Sequence, residues 1–320
     1  MTGWIKHWLR MFAVLGVVAG LTACSLDDDD DAPPPAGNIV QVAQANGFNA
    51  LAAAATKAGL VATLSDASAN LTVFAPTDAA FATLATQLGF ADATAMVNAL
   101  PANALANILT YHVLPAKKTS SMLTAGPQAT AYSYNGTPAT VTLSTTGGVS
   151  ITDAGLTTAH VTTADVPASN GVIHVIDKVL VPPGVLNIVQ MAQANPAFTT
   201  LVGAVVSANL QATLSGAGPF TVFAPTNDAF AAIQSTVAGL TTAQLTQVLT
   251  YHVLASQVLA ADIPFGAPVT TVEGETITID AGTPPTITDK TATPAPIVAT
   301  DIRASNGVIH VISKVLIPSL

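Results

Sequence analysis

Apolar and polar positions keep one rhythm early in this chain and another late, and the change happens twice. From Ala50 to Leu60 and from Ala79 to Leu88, apolar residues recur at helical spacing in Ala-rich surroundings, which predicts helices. Thr77 before Asp78 suits a helix N-cap with an acid in the first turn, and Thr226 before Asn227 and Asp228 repeats the arrangement. Leu105 to Thr110 and Leu245 to Thr250 predict two more helices, each ending near a Tyr-His pair. Pro76 and Pro225 stop the Thr-Val-Phe strands that precede them. The later rhythm is alternation. Val141-Thr-Leu-Ser-Thr, a turn at Gly147-Gly148, and Val149-Ser-Ile-Thr predict one hairpin. Thr270-Thr-Val, Glu273-Gly274 and Thr276-Ile-Thr-Ile-Asp predict another. Asn170-Gly171 and Asn306-Gly307 each launch a Val-Ile-His-Val-Ile strand, with the asparagine read as a turn residue that tolerates positive φ. Helices first and antiparallel strands later make an α+β domain.

The same blocks occur twice, in the same order. Thr72-Val-Phe-Ala-Pro-Thr-Asp-Ala-Ala-Phe81 returns as Thr221-Val-Phe-Ala-Pro-Thr-Asn-Asp-Ala-Phe230, an offset of 149. Leu109-Thr-Tyr-His-Val-Leu114 returns as Leu249-Thr-Tyr-His-Val-Leu254, an offset of 140. Ala168-Ser-Asn-Gly-Val-Ile-His-Val-Ile176 returns at Ala304 to Ile312, an offset of 136. Only the spacing shrinks, so the second copy has shorter connections. A period near 140 residues is too long for a solenoid and is the size of a domain. We read 37–182 as the first domain and 183–320 as the second. The short, stiff junction Val181-Pro182-Pro183-Gly184 predicts that they touch rather than swing.

Residues 1–24 carry an address. Lys6 and Arg10 precede a stretch of 13 apolar or small residues, Met11 to Ala23, too short to span a bilayer and suited to a secretory signal. It ends Leu21-Thr22-Ala23-Cys24, which resembles the lipobox of bacterial lipoproteins; that resemblance implies a lipid on the Cys24 thiol. Ser25 is not the aspartate that favours inner-membrane retention, which leans the expectation to the outer membrane, facing the periplasm or the surface. Residues 25–36, with five consecutive aspartates and three prolines, read as a solvated stalk.

Composition narrows the classes. Only 8% of the 320 residues are charged and 50% are apolar, and 9 Lys+Arg face 18 Asp+Glu, a net charge of −9. The low charge excludes a disordered or coiled-coil chain, and the acidic balance leaves no footprint for nucleic acid. The single cysteine excludes an intrachain disulfide.

The repeated blocks resemble the fasciclin family, in which the first box looks like residues 221–230, the middle mark is a Tyr-His pair and the last box looks like residues 170–182. The resemblance implies a fasciclin-like wedge of antiparallel strands flanked by helices, in two tandem copies, usually a binding module for adhesion. Some animal relatives carry an integrin-binding segment of the form Glu-Pro-Asp-Ile-Met just before the last box. The aligned positions here retain only the Asp-aliphatic pair, as Asp165-Val166 and Asp301-Ile302. The position, not the partner, carries over, and these four residues are the candidate contacts.

The histidines are the remaining chemical candidates, since imidazole serves as base and as metal ligand. His112 and His174 in the first copy match His252 and His310 in the second, beside Tyr111 and Tyr251. Neither copy offers a third ligand at zinc spacing, so all six are read as structural. No nucleophile motif occurs, and no catalytic residue, cofactor or metal is expected. The resulting expectation is a non-enzymatic lipoprotein of the cell envelope, joined to the membrane through Cys24 and to a protein or polysaccharide of the envelope or matrix. Two alternatives stand beside it: a carrier of an apolar ligand such as a lipid, sterol or carotenoid, and a purely structural envelope protein.

Overall fold

The computed structural model describes residues 37–235 and 239–320, which belong to one compact unit, Ala36–Leu320. Cys24 and the stalk lie outside the described residues. Each copy opens with short helices: α1 (Ile39–Ala45), α2 (Asn49–Lys57) and α3 (Val61–Leu64) in the first. Strand β1 (Leu71–Pro76) follows, then α4 (Asp78–Gln87), α5 (Ala93–Ala99), α6 (Ala102–Tyr111) and β2 (Val113–Leu114). The expected cap is present, with the Thr77 side chain accepting from the Ala80 N–H. Five strands complete the copy: β3 (Gly126–Tyr134), β4 (Thr137–Ser144), β5 (Ser150–Thr152), β6 (Thr158–Ala168) and β7 (Gly171–Ile176). They form a seven-stranded sheet in the order β2-β1-β7-β6-β5-β4-β3. The second copy repeats this from α7 (Ile188–Ala194) and β8 (Phe220–Pro225) through β9 (Val253–Leu254), β10 (Pro268–Thr270), β11 (Thr276–Asp280), β12 (Thr286–Thr288), β13 (Ala295–Ala304) and β14 (Gly307–Ile312). Its economies are visible: β10 has three residues where β3 has nine.

Most pairings are antiparallel, including both hairpins, β4 with β5 and β10 with β11. One pairing in each copy is parallel: β1 lies along β7, and β8 along β14. These strands are the first and last repeated boxes, so the blocks that bracket each copy in sequence are neighbours in space. Both β1 and β7 are buried on both faces, which is why they read as apolar runs rather than as alternation. Val73 and Ala75 face the helices, while Phe74 joins Tyr111, Leu143, Ile151 and Ile176 on the other side.

Gly171 begins β7 opposite Leu71, and a Cβ there would stand 2.3 Å from the Leu71 carbonyl oxygen. Gly307 meets the Phe220 oxygen in the same way, at 2.1 Å. Only a residue without a side chain allows so close a backbone approach.

The copies are docked. Val179, Val181 and Leu186 from the connecting segment join an apolar cluster that runs through the helical layers of both. Asn195 donates through Nδ2 to the Gly155 oxygen at 2.8 Å, and the Tyr132 hydroxyl donates to the Pro183 oxygen at 3.1 Å. Gly184, at φ 75°, passes the Tyr134 ring so closely that a Cβ would be 2.2 Å from it. Replacing Gly171 or Gly307 with Ala should therefore force the central parallel pair apart, at a cost of about 1–3 kcal/mol. Urea unfolding of each variant measures this, and a midpoint equal to wild type would show that the ladder is not so tightly constrained.

Candidate functional site

The segments before the last box form a bulge. Register shifts twice in β6, between Val161 and Thr163 and between Thr163 and Val166, and β13 shifts at the equivalent places. Asp165 has φ 60° and Asp301 has φ 62°, a left-handed conformation that aspartate tolerates better than most residues. Two interactions hold it in the first copy. The Asp165 N–H donates to His174 Nδ1 at 3.2 Å, and its carboxylate accepts from the Ser120 N–H at 2.7 Å and from the Ser120 hydroxyl. The Ser120 hydroxyl and N–H hold the Asp165 carboxyl below the usual range. In the second copy the Asp301 N–H reaches His310 Nδ1 at 3.3 Å, and its carboxylate accepts from the Ala260 N–H at 3.0 Å. Both histidines donate their other nitrogen, Nε2–H, to a carbonyl: Lys118 at 3.0 Å and Val258 at 2.8 Å. Burial lowers the His310 pKa.

The four candidate contacts thus have unequal surroundings. Asp165 is exposed, Val166 and Asp301 are half-buried, and Ile302 is 2% exposed. Ile302 turns into the core below the bulge and offers no surface, which removes it from the candidate contacts. The flanking edges are alike. Strand β5 covers β6 only from Thr158 to His160, and among the described residues no strand covers that side of β6 beyond it. Thr162 to Asp165 are exposed. Strand β12 likewise covers only Ala295 and Pro296 of β13, where Val298 and Thr300 are exposed, and the connecting segment meets β13 further along. Gly184 N–H donates to the Arg303 oxygen at 3.0 Å, and Ser305 N–H donates to the Leu186 oxygen at 2.8 Å.

The Tyr-His pairs lie inside. His112 donates from Nδ1 to the Ile108 oxygen at 2.7 Å and accepts at Nε2 from the Leu180 N–H at 2.9 Å. His252 does the same with Val248 at 2.7 Å and Leu316 at 2.8 Å. Each ring ties the end of a helix to the tail of its domain, and no lone pair is left for a ligand. Burial pushes both down from the ordinary 6.5 to about 4. The Tyr111 hydroxyl donates to the Thr140 oxygen at 2.8 Å and the Tyr251 hydroxyl to the Thr276 oxygen at 3.0 Å. Burial raises both phenols, Tyr251 to about 12. Among the described residues no group of three or more His, Cys, Asp or Glu is placed to hold a metal.

Two pairs of polar residues, buried except for the half-buried Asn306, escape the sequence reading. Asn170 and Asn306 do not have positive φ. Asn170 is 1% exposed; it accepts from the Ile39 N–H at 2.9 Å and donates to the Leu64 and Asp66 oxygens, both at 2.9 Å. Asn306 repeats this with Ile188, Leu214 and Gly216. Both stand in the two-residue turn that starts the strand, as expected but without the positive φ, and the amide also bolts the helical layer to the sheet. Asp153 accepts from Gly155, Thr157 and Val181 N–H groups and from the Thr157 hydroxyl, at 2.8 to 3.0 Å. Burial raises its pKa. Asp289 is built similarly; burial pushes it up, but Thr291, Ile317 and Lys314 hold it below the usual value. The signal was present as an unremarked repeat, Ile151-Thr-Asp and Ile287-Thr-Asp, at the offset of 136 shared by the last box.

The model of the fasciclin domain matches residues 46–182 and 196–318. Protein sll1483 of Synechocystis sp. is 42% identical over 140 residues, which are 42% of this chain and 75% of that protein. Transforming growth factor-beta-induced protein ig-h3 of Sus scrofa is 32% identical over 257 residues, 78% of this chain but 35% of that protein. A solved FAS1 domain pair from the insect cell adhesion molecule Fasciclin I aligns over 86% of this chain and 94% of that one, with a TM-score of 0.42 and 17% identity.

The depressed histidines make stability depend on pH. A folded pKa near 4 against 6.5 unfolded means that the folded state binds fewer protons in between. The stabilisation is complete above 6.5 and is lost as pH falls towards 4, by about 3 kcal/mol for each of His112 and His252. Urea midpoints should fall between pH 7.5 and 4.5, and His112→Gln should flatten that dependence by close to one proton. A wild-type slope unchanged in both His112→Gln and His252→Gln would refute the assignment.

Proposed function

Because the chain belongs to the fasciclin family, we propose that it is a non-enzymatic attachment protein of a bacterial cell envelope, tethered by lipid on Cys24. Fasciclin domains are known in cell-adhesion proteins. The observation that carries the reading is the outer edge of β6, where Thr162 to Asp165 are exposed and β5 has already ended. An uncovered strand edge accepts an extended segment of a partner through backbone hydrogen bonds. The bulge re-aims that edge, and the Ser120–Asp165 bonds keep it in place. In the second copy the connecting segment bonds β13 at Arg303 and Ser305, beyond the stretch 298–301 that corresponds to Thr162–Asp165; Asp165 is exposed where Asp301 is half-buried, so the contact is assigned to the first copy.

The carrier alternative needs an apolar pocket, which for a drug-sized ligand runs to roughly 300–1,000 Å³. Each copy has an apolar cavity in the same place, between its first helices and its sheet. One is lined by Ile39, Leu51, Val73 and Leu109, the other by Ile188, Leu201, Val222 and Leu249. Each is about 30 Å³, far below the size of a sterol or carotenoid site. This weighs against the carrier.

The anchor matters because no helix among the described residues is long and apolar enough to cross a membrane. One acyl chain binds only marginally, at about 0.8 kcal/mol per buried methylene, so stable attachment takes several. Radiolabelled fatty acid should enter the wild-type protein and not Cys24→Ala; failure to label wild type ends the lipoprotein reading. Attachment is measured with cells displaying the protein at matched surface abundance. Thr163→Lys, which places a charge on the exposed edge, and Asp165→Ala, which releases the bulge, should each cut adhesion several-fold. Undiminished adhesion by Thr163→Lys and Asp165→Ala would eliminate the β6 edge. Absence of adhesion by wild type to cells, matrix and polysaccharide would overturn the attachment reading in favour of a structural role.

A further inference from the structure

Where the two copies meet there is a cleft of about 350 Å³, ten times either apolar cavity, and its chemistry is different. One wall is the outward face of β4. Alternation sends Ala139, Val141 and Leu143 into the core and leaves Thr140 and Thr142 facing out. The facing wall is the bulge of β13, with Thr300 and Asp301, and Pro183 of the connecting segment contributes between them. Tyr134 and Leu156 add apolar surface. Among the described residues, the hydroxyls of Thr140, Thr142 and Thr300 make no hydrogen bond within the chain, so three donor-acceptor groups are free to serve a ligand.

The lining also says what the ligand is not. It includes no lysine or arginine, and its ionisable groups are Asp153, Asp301 and Tyr134. Arg303 stands 3.9 Å from the Asp301 carboxylate but outside the lining. An anionic ligand would meet carboxylates without compensation. Asp153 is already occupied by four donors and acts as wall rather than as ligand. The requirement is a neutral molecule with many hydroxyls and an apolar face: hydroxyls to pair with threonines and to donate to Asp301, and C–H surface to lie on Tyr134 and Leu156.

We infer that the cleft between the two copies binds a neutral polysaccharide chain. This goes beyond the attachment reading, since it concerns a different place in the molecule and names a ligand class. The site is composite and needs both copies. It is held ready by the docking bonds Asn195–Gly155, Tyr132–Pro183 and Gly184–Arg303, so binding does not have to order it.

The test is isothermal titration of the purified protein with the neutral hexasaccharides cellohexaose, maltohexaose, mannohexaose and xylohexaose, and with the acidic hexagalacturonate. At least one neutral chain should bind saturably and the acidic one at least about tenfold more weakly. Thr140→Val with Thr142→Val keeps shape while deleting two hydroxyls, and should weaken the neutral ligand by about tenfold or more. Should that double variant unfold, Thr300→Val on the facing wall supplies the same reading. No binding by any neutral hexasaccharide, equal binding of the acidic one, or affinity unaltered in the folded threonine variants would each overturn the inference. Thr163→Lys lies outside the cleft: loss of its adhesion with sugar binding intact sustains the β6 edge independently, and the failure of either reading is seen without the other.

Discussion

The parallel pairing of β1 with β7 is the constraint on which the rest of each copy depends. Leu71 faces Gly171 and Pro76 faces Ile176, although about a hundred residues separate them. A ladder between such distant segments must overcome a large loop-closure cost, and side-chain bonds reinforce it. Thr72 donates to the Ala116 oxygen at 2.7 Å and accepts from the Lys118 N–H at 2.8 Å. His174 donates to the Lys118 oxygen from the other strand of the pair. The same ring then accepts from the Asp165 N–H and so fixes the bulge. One continuous path therefore runs from the first box, through residues 116–118, to the last box and on to the exposed edge.

The polar groups inside follow one rule. Among the described residues no buried side-chain nitrogen or oxygen lacks a hydrogen-bond partner. His112 and His252 stay neutral because both ring nitrogens already serve backbone groups, and because the site repays a charge poorly. Asp153 and Asp289 solve the opposite problem, a carboxylate in the interior, with four donors each. Their lysines differ. Lys314 bonds Asp289 at 2.9 Å, whereas Lys178 turns to the Ala194 oxygen of the second copy at 3.5 Å. A similar pair of side chains is thus spent on one domain's interior in one case and on the junction in the other.

What was legible in the sequence is what local pattern encodes. The Thr77 and Thr226 caps, the helices ending at Tyr111 and Tyr251, and the Gly147-Gly148 turn all depend on neighbours a few residues away. The two parallel pairs were not legible, since alternation and apolar runs do not name a strand's partner. Asn170 illustrates the limit most clearly. Asn-Gly before a strand has an ordinary local explanation, yet its three bonds reach residues 39, 64 and 66. At the candidate site the Asp-aliphatic pairs were found by alignment with the last box, but not the left-handed φ that aims Asp165 outward and leaves Ile302 in the core.

Duplication need not yield two equal sites. Avidity from a tandem pair requires both copies to present the same surface to one partner. Here the second copy's edge at Arg303 and Ser305 is taken by the connecting segment, whose path needs Gly184 at φ 75° beneath the Tyr134 ring. The equivalent stretch of the first copy meets Gly37, through the Ser169 N–H at 3.1 Å, and its Thr162 to Asp165 stretch stays open to solvent. At this edge the copies stay alike, since Val298 and Thr300 are exposed as well; docking breaks the symmetry at the cleft, which pairs β4 of one copy with β13 of the other. The second copy acts as a brace, and in bracing it creates a polar cleft that neither copy has alone.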